Sequence, residues 1–591
     1  MPPYTLPATP TLKRVPKKTA ILIASGDLRD SANKACWPAQ QELEKAAAAA
    51  FESLGWKLLR GPMPSLAQGG SVDHGFIDSQ RAGRDVFANI HPDAPIVVAE
   101  AAWQYSHHVL IGLQHHRGPI LILANWSGTW PGLVGALNLR GSLTKAGVAY
   151  SLLWADDFTS REFLSKLHQW ITKGRIKHDT SHVDKLDPDT LPKKERKLGD
   201  SLAADLRRRP AIMGVFDEGC MGMFNAIIPD DLLHAAGVFK ERLSQSALFY
   251  ATSLVPDAEA DAVRAWLDAK GMKFHTGPSE EHDLTDHQIR QQCKMYIAAA
   301  RLADEFGCDA IGIQYQQGLK DLLPASDLAE GLLNCSDRPP VSAARPASPG
   351  TAGTPPGAAQ PVRHGLPITH FNEVDECAGL DGIITHRVWT AMGLSPDNTL
   401  HDLRWADPDR SGSTKDYVWV FEISGAVPPS HLEGEAGGYA GASSERQPPM
   451  YFRLGGGTIK GVSRPGEVVW SRIYVKSEPV SSGKSGASRL HMDIGRCNAI
   501  SLPPEETQRR WNATTRQWPI MHAVLYGITR DQMMARHQSN HIQVVYAPDA
   551  ATADRALAAK AAMASAMGIR VHLCGDNADG VPLRGALARL K

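Results

Sequence analysis

Short apolar runs that alternate with helix-forming segments are the feature that most constrains the fold of this 591-residue chain. TAILIAS (19–25), PIVVAEAAW (95–103) and PILILANW (119–126) each have the length of one buried strand, and a helix-like segment follows each of them. Strands of a parallel sheet are buried on both faces, so they appear as continuous apolar runs rather than alternating ones. The pattern therefore predicts an N-terminal α/β domain with a parallel sheet over residues 19–170.

A second α/β pattern follows and predicts a second domain with a parallel sheet over residues 171–336. It contains the apolar run AIMGVFDEG (211–219), a long helix across 284–306 and the strand DAIGIQYQ (309–316). The first part of this region, 171–209, is dense in Lys, Arg and Asp, which is typical of a connector that holds at most one helix.

Two segments have compositions that cannot build a core. Residues 1–18 are rich in Pro and Lys and predict a disordered N-terminus. Residues 337–363 consist largely of Pro, Ala, Gly and Ser, which is typical of a flexible linker or surface insertion.

The remaining region, 364–591, differs from the first two domains. Segments such as YVWVFEIS and EVVWSRIYV are short, alternating and punctuated by glycine, which predicts an antiparallel sheet or barrel, and a mixed tail of helix and strand follows. The predicted fold class is thus multidomain α/β: two N-terminal α/β domains with parallel sheets and a C-terminal mixed, β-rich domain.

Charge, hydropathy and cysteine content exclude several classes of protein. The 63 Lys and Arg balance 63 Asp and Glu, which argues against a nucleic-acid partner that needs a strong positive field. The sequence contains no apolar run of about 18 residues that could span a membrane and no signal-like apolar core at its start. The eight cysteines are scattered without a CxxC pair, which argues against a disulfide framework or zinc ribbon. We expect a cytoplasmic protein with reduced cysteines.

Three side chains of the last domain are candidates for catalysis or metal binding. Glu373 lies with Asp375 at the end of the strand PITHF, Asp402 follows another short strand, and His522 lies in the apolar segment WPIMHAVLYG. Each also has a structural interpretation. Glu373 or Asp375 could cap the next helix, Asp402 could pair with Arg404, and a lone histidine in an apolar segment is more often a core residue than a ligand.

Taken together and in order, these segments resemble the L-fucose isomerase family, also called D-arabinose isomerase. NEVD around Glu373 resembles the family's T-E-x-D, HDLR around Asp402 resembles A-D-V-R, and WPIMHAVL around His522 resembles W-x-x-N-H-x-V-L. The resemblance implies that Glu373, Asp402 and His522 are the three ligands of a metal ion. Met521 stands where the family has an asparagine.

Three further segments extend the resemblance over about residues 19–545. GIQYQQGLKD…DLAEGLLNCS resembles GFQGQ…DTAEAILNSS, which implies that Gln314 lies near the site. VAEAAWQYS resembles a strand that ends in C-W-C-Y, and GGYAGASSER resembles G-G-Y-S-S-R. These two matches imply that Trp103 and Tyr439 contact a sugar substrate.

The resemblance implies a metal-dependent aldose–ketose isomerase. Two carboxylates and one imidazole suit Mn²⁺, with Mg²⁺ or another divalent cation as alternatives. Such a cation polarises the sugar carbonyl and stabilises an enediolate, while Glu373 or Asp402 moves the proton between C2 and C1. A hydride shift stays open as a route. So do two other functions: a metal-dependent epimerase or lyase that acts on another sugar or sugar acid through an enediolate, and a non-catalytic sugar-binding protein.

The resemblance also implies a homo-oligomer, a trimer or hexamer, whose active site is closed by a neighbouring subunit. Trp103 and Tyr105 directly follow the strand PIVVAEAA, at the edge where ligands of open α/β sheets bind. A tryptophan exposed there would be unfavourable unless something covered it. We therefore predict that Trp103 of one subunit faces the Glu373–Asp402–His522 site of another. The alternative is that Trp103 packs inside its own domain.

Overall fold

The protein is described by a computed structural model, which covers residues 12–62, 73–343, 362–434, 438–477 and 487–590. The described residues divide into two compact units, one within residues 12–177 and the other within residues 178–477 and 487–590. The first division lies close to the boundary predicted at residue 170. Most of the predicted N-terminal tail and most of the predicted insertion at 337–363 lie outside the described residues.

The first unit is built on a five-stranded parallel sheet. Its elements are β1 (Thr19–Ile23), α1 (Asp30–Ser53), β2 (Lys57–Arg60), α2 (Gln80–Phe87), β3 (Ile96–Glu100), α3 (Ser106–Leu113), β4 (Ile120–Asn125), α4 (Gly132–Ala146), β5 (Ser151–Ala155) and α5 (Arg161–Lys173). The strands lie in the order β2-β1-β3-β4-β5. The three apolar runs form β1, β3 and β4 as predicted, and one face of the sheet packs on Phe51 of α1 and Trp170 of α5.

The second unit begins with a strand and a helix from the charged connector and then forms a second parallel sheet. The elements of this part are β6 (Val183–Lys185), α6 (Lys193–Arg208), β7 (Ala211–Phe216), α7 (Asp230–Ala235), β8 (Val238–Leu243), α8 (Gln245–Ser253), α9 (Asp257–Ala269), β9 (Lys273–Phe274), α10 (Asp286–Glu305), β10 (Ala310–Ile313), α11 (Asp327–Leu333) and β11 (Thr369–His370). The sheet has the order β11-β10-β7-β8, and all its pairs are parallel.

The rest of the unit is rich in antiparallel strands. Its elements are α12 (Glu376–Ala391), β12 (Asn398–Pro408), β13 (Tyr417–Glu422), β14 (Ser443–Ser444), β15 (Gly466–Ser477), β16 (Ser488–Ala499), α13 (Pro504–Asn512), β17 (Ile520–Leu525), α14 (Arg530–Arg536), β18 (His541–Ala547), α15 (Ala550–Ala566), β19 (Arg570–Cys574) and α16 (Leu583–Ala588). Six strands in the order β15-β18-β12-β13-β17-β16 close into a ring, because β15 also pairs with β16. Strands β19 and β6 extend the sheet beyond β16.

Helix α12 packs on strands of both larger sheets of the second unit, among them β10, β11, β12 and β15. Two glycines allow this close approach. A Cβ on Gly379 would lie 2.8 Å from the Phe371 ring, and one on Gly382 would lie 2.7 Å from Thr369 Cγ2. The second and third predicted domains therefore share one core and belong to one compact unit.

The prediction of an α/β chain with parallel sheets in its N-terminal part and a β-rich C-terminal part is confirmed. Among the helices of the described residues, none is both long and apolar enough to cross a membrane.

Candidate functional site

The loops that follow β7, β10 and β11 meet at one edge of the second parallel sheet. Parallel strands end on the same side, so residues directly after them come together. The backbone N–H of Gln314, which follows β10, donates to Phe216 O at 3.2 Å. The Gln314 side chain, fully buried, places its Nε2 3.4 Å from the carbonyl oxygen of Glu373, which lies beyond β11. The structure thus brings Gln314 to Glu373.

Strands β12 and β18 of the closed sheet supply the opposite side of this site. They are antiparallel, and their register sets Asp402 directly opposite His541. The side chain of Asn540 donates to Asp402 Oδ1 at 3.0 Å. Sheet pairing therefore holds an Asp and a His side by side although they are far apart in sequence.

Glu373, Asp402 and His541 form what we name the acid–imidazole cluster. His541 Nε2 lies 3.8 Å from Glu373 Oε2 and 3.6 Å from Asp402 Oδ1. This nitrogen is buried and has no hydrogen-bond partner. The other ring nitrogen, Nδ1, lies 2.7 Å from Asp375 Oδ2. A proton on Nδ1 satisfies Asp375 and leaves the Nε2 lone pair facing the two remaining carboxylates.

Asp375 is anchored from three sides. Its carboxylate accepts the backbone N–H of Ala378 at 3.0 Å, which caps α12, and a hydrogen bond from Arg472 Nη1 at 2.5 Å. Burial alone would raise the pKa of Asp375, but the Arg472 guanidinium and the His541 hydrogen bond outweigh it and lower that pKa to about 2. Asp375 is therefore a fixed anion behind His541.

The acidic surroundings also act on His541 and Asp402. Burial alone would lower the pKa of His541, but the hydrogen bond and charge of Asp375, followed by Asp402 and Glu373, raise it above its ordinary value. Burial raises the pKa of Asp402, against the opposing charge of His541. Three carboxylates around one imidazole make a site whose negative charge is best balanced by a cation.

The donor set can be compared with what a divalent cation requires. Ligands about 2.1 Å from an octahedral ion lie about 3 Å apart, so the distances from His541 Nε2 to the two carboxylates would each have to shorten by less than about 1 Å. Across the described residues, no group of three or more His, Cys, Asp or Glu side chains already stands at the spacing of a metal site. The residue types and the unpartnered Nε2 nevertheless fit such an ion.

The turn that carries Glu373 is strained. Glu373 and Val374 both have φ of 56°, a left-handed conformation that is rare for β-branched residues. Each such residue costs on the order of 1–3 kcal/mol, and this strain persists only where the surroundings enforce it. The loop after β7 is similar, because Asp217, Cys220 and Met221 have φ of 65°, 35° and 44°. Strain is thus concentrated at the edge where the cluster lies.

The structure does not bring His522 to the cluster. His522 lies on β17 opposite Val420 of β13, whereas Asp402 lies on the other side of β13, opposite Glu422. Both ring nitrogens of His522 are buried without hydrogen-bond partners, and burial lowers its pKa to about 3.

We therefore replace His522 by His541 as the imidazole of the site. A signal for His541 was present in the sequence, because SNHIQVV contains an Asn-His pair like that of the resembling pattern, which WPIMHAVL lacks. Asn540 of this pair contacts Asp402.

The structural interpretation of Asp402 is not supported either. Burial raises the pKa of Asp402 and the Arg404 charge opposes that rise, but the ion pair of Arg404 is with Glu422, whose Oε2 lies 3.7 Å from Arg404 Nε. Burial raises the pKa of Glu422 to about 8, against the Arg404 charge and a hydrogen bond from Thr514. Asp402 keeps Asn540 and His541 as its neighbours.

Trp103 and Tyr439 have other surroundings than predicted. Trp103 is buried, at 7% exposure, and its indole Nε1 has no hydrogen-bond partner. The premise that its ring is exposed is therefore wrong. The Tyr439 hydroxyl donates to Asp337 O at 2.7 Å, and the ring packs edge-on against Trp266. These contacts do not link Tyr439 to the acid–imidazole cluster.

The chain matches no model of a known protein family and no curated protein. The chemistry of the site thus follows from its own atoms: two carboxylates face one imidazole nitrogen, an anion orients that imidazole, and a buried carboxamide lies alongside. Such a set can hold a cation and move a proton.

Proposed function

We propose that the chain is a metal-dependent aldose–ketose isomerase of the L-fucose isomerase type, with Glu373, Asp402 and His541 as the ligands of Mn²⁺. Mg²⁺ or another divalent cation would suit the same donors. The observation that carries the proposal is the buried Nε2 of His541, which faces Glu373 and Asp402 and has no hydrogen-bond partner. The order of the resembling segments, now with Asn540 and His541 in place, supports it.

The ligand set favours a hard cation with open coordination positions. Two carboxylates and one imidazole are donors that Mn²⁺ and Mg²⁺ accept, and thiolates are lacking among them. Three protein ligands leave room for two adjacent oxygens of a sugar. Asp375 orients the imidazole from behind, which is the usual support of a ligating histidine.

When bound, the cation would supply a Lewis acid that polarises the sugar carbonyl. The residues of the chain would transfer the proton and bind the sugar hydroxyls. Glu373 or Asp402 would take the proton from C2 and return it to C1 through a cis-enediol, while the hydroxyl proton passes from O2 to O1; a positioned base typically gives about 10²–10⁴-fold for such a step. Gln314 Oε1, buried without a partner, accepts a hydrogen bond from a sugar hydroxyl.

The exposure of the cluster suits this reaction. The side chains of Glu373 and Asp402 are 13% and 11% exposed and that of His541 is 1% exposed. The two carboxylates are thus within reach of a small molecule, while the imidazole is shielded from water. Assembly as a homo-oligomer rests on the resemblance alone, because Trp103 is already buried in the single chain.

A panel of neutral aldoses and ketoses, incubated with Mn²⁺-loaded protein in deuterated water and followed by NMR, tests the proposal. We expect one aldose to convert to its ketose with solvent deuterium at the transferred carbon, and chelation to stop the conversion. Conversion without solvent label would indicate a hydride shift at the same site. If Mn²⁺-loaded protein converts no sugar of the panel, the proposal is wrong.

A further inference from the structure

The strained turn between β11 and α12 is anchored at both ends by side chains. On its C-terminal side, Asp375 is held by Arg472 and by the first turn of α12. On its N-terminal side, Asn372 directly precedes Glu373 and is held by a residue of α11 that the proposed chemistry does not use. That residue is Glu330.

Glu330 is a buried acid, 2% exposed, whose two oxygens are both engaged. Its Oε2 accepts a hydrogen bond from Asn372 Nδ2 at 2.5 Å, and its Oε1 accepts one from the Ser326 hydroxyl. The ring of His370 lies beside it, with Nδ1 3.7 Å from Oε2. Because its oxygens are turned to Ser326 and Asn372, Glu330 supports the turn rather than the acid–imidazole cluster itself.

The same helix holds the strand before the turn. Asn334 follows Glu330 by four residues, so the two side chains lie on one side of the helix. Asn334 Oδ1 accepts the backbone N–H of His370 at 2.6 Å, and its Nδ2 donates to His370 O at 3.0 Å. Asn334, at the C-terminal end of α11, thus holds the backbone of His370. Glu330 of the same helix holds the side chain of Asn372.

We infer that Glu330 is a positioning residue that keeps Glu373 in its left-handed conformation and its carboxylate aimed at His541. Left-handed residues of this kind persist only where the surrounding structure holds them, and Asn372 is held through Glu330. The role assigned to Glu373 rests on the proposed function, whereas the hold of Glu330 on the turn does not.

Hydrogen exchange of metal-free, full-length protein tests the hold directly. In Glu330→Ala, amides of residues 371–376 should exchange at least about ten-fold faster than in the unaltered chain, because a locally released turn opens more often. Glu330→Gln can still accept from Asn372 and donate to Ser326, so exchange should stay within about three-fold. Unchanged exchange in Glu330→Ala would overturn the inference.

Glu195→Ala is the matched control. Glu195, on α6, is also a buried acid. Its Oε1 lies 2.7 Å from Nη1 of Arg555 on α15. Its removal should leave exchange of 371–376 unchanged. If it accelerates that exchange as much as Glu330→Ala does, the effect is general loosening and the inference fails.

Asn372→Ala breaks the same contact from the other end and keeps the test decisive if Glu330→Ala does not fold. It should accelerate exchange of the turn to the same extent as Glu330→Ala, and where both variants fold, the double variant should add nothing further. Unchanged exchange in Asn372→Ala would contradict the role assigned to Glu330. So would a double variant whose exchange is accelerated by the product of the two single effects.

Binding of Mn²⁺, followed by its EPR signal, separates this inference from the proposed function. Glu330→Ala should weaken binding by about 10–100-fold, as loss of a residue behind a ligand does, and Glu330→Gln should restore it. Unweakened binding in Glu330→Ala would contradict a role in aiming Glu373. If the unaltered protein binds no Mn²⁺, the proposed function fails, while the exchange result still decides whether Glu330 holds the turn.

Discussion

His541 and His522 are two histidines buried in one closed sheet, and their surroundings differ. His541 has Asp375 behind one ring nitrogen and two carboxylates facing the other. His522 has no hydrogen-bond partner on either nitrogen. Burial lowers the pKa of His522 to about 3, while carboxylates raise the pKa of His541. Burial without polar neighbours is therefore typical of a core histidine, whereas a buried histidine with a carboxylate on one ring nitrogen is a candidate metal ligand.

The largest effect is expected at the carboxylates that face His541. Glu373→Gln keeps the size of the side chain but removes its charge and basicity, so kcat should fall by about 10²–10⁴-fold. Steady-state kinetics with the sugar found by the panel measures this. Glu506→Gln, near His522, is the control and should leave kcat unchanged. Equal turnover in Glu373→Gln would show that the cluster is not the reacting site.

The residue behind His541 should have the next largest effect. Asp375→Asn can still accept a hydrogen bond but loses the charge that orients and supports the imidazole, so Mn²⁺ affinity should fall by about 10–100-fold. Calorimetric titration with Mn²⁺ measures it. An unchanged affinity would mean that the contrast between the two histidines has no bearing on metal binding.

A smaller effect is expected on the pH dependence of stability. His522 has a folded-state pKa of about 3, below its value in the unfolded chain. The unfolded state therefore binds more protons, and stability is lost as the pH falls from about 6.5 towards 3. His522→Leu removes this linkage, so between pH 7 and 5 the variant should lose about 2 kcal/mol less than the unaltered chain.

Urea unfolding at the two pH values measures this difference. An identical pH dependence in His522→Leu and the unaltered chain would mean that His522 is not a buried neutral imidazole. At pH 7 the variant should be as stable or more stable, because an unpartnered polar group leaves the core.

The first strands and the two carboxylates of the candidate site could be named from the sequence, whereas the histidine that the structure sets beside them could not. β1, β3 and β4 are apolar on both faces, so their sequences alone identify them. Glu373 lies shortly after β11, as the local pattern indicates, whereas Asp402 lies inside the eleven-residue strand β12 and not after a short strand. His541 becomes a neighbour of Asp402 only through the pairing of β12 with β18. The register of two strands that are far apart in sequence cannot be predicted from either segment alone.

Other features could not be found in the sequence for similar reasons. β6 is only three residues long and polar, and it forms by pairing with β19. The left-handed turn at Glu373 and Val374 contains no glycine to mark it. Trp103 looked exposed because it follows a strand at the carboxyl edge of a sheet, but the chain around it covers the ring.

The most direct test compares Mn²⁺ affinity in His541→Ala and His522→Ala, measured side by side by calorimetric titration. Both variants remove a buried imidazole from the same sheet, so a general loss of packing would affect them alike. The account predicts that His541→Ala loses Mn²⁺ binding by at least about 100-fold, since one of three ligands is gone, while His522→Ala binds as tightly as the unaltered chain. Retained binding in His541→Ala together with lost binding in His522→Ala would contradict it.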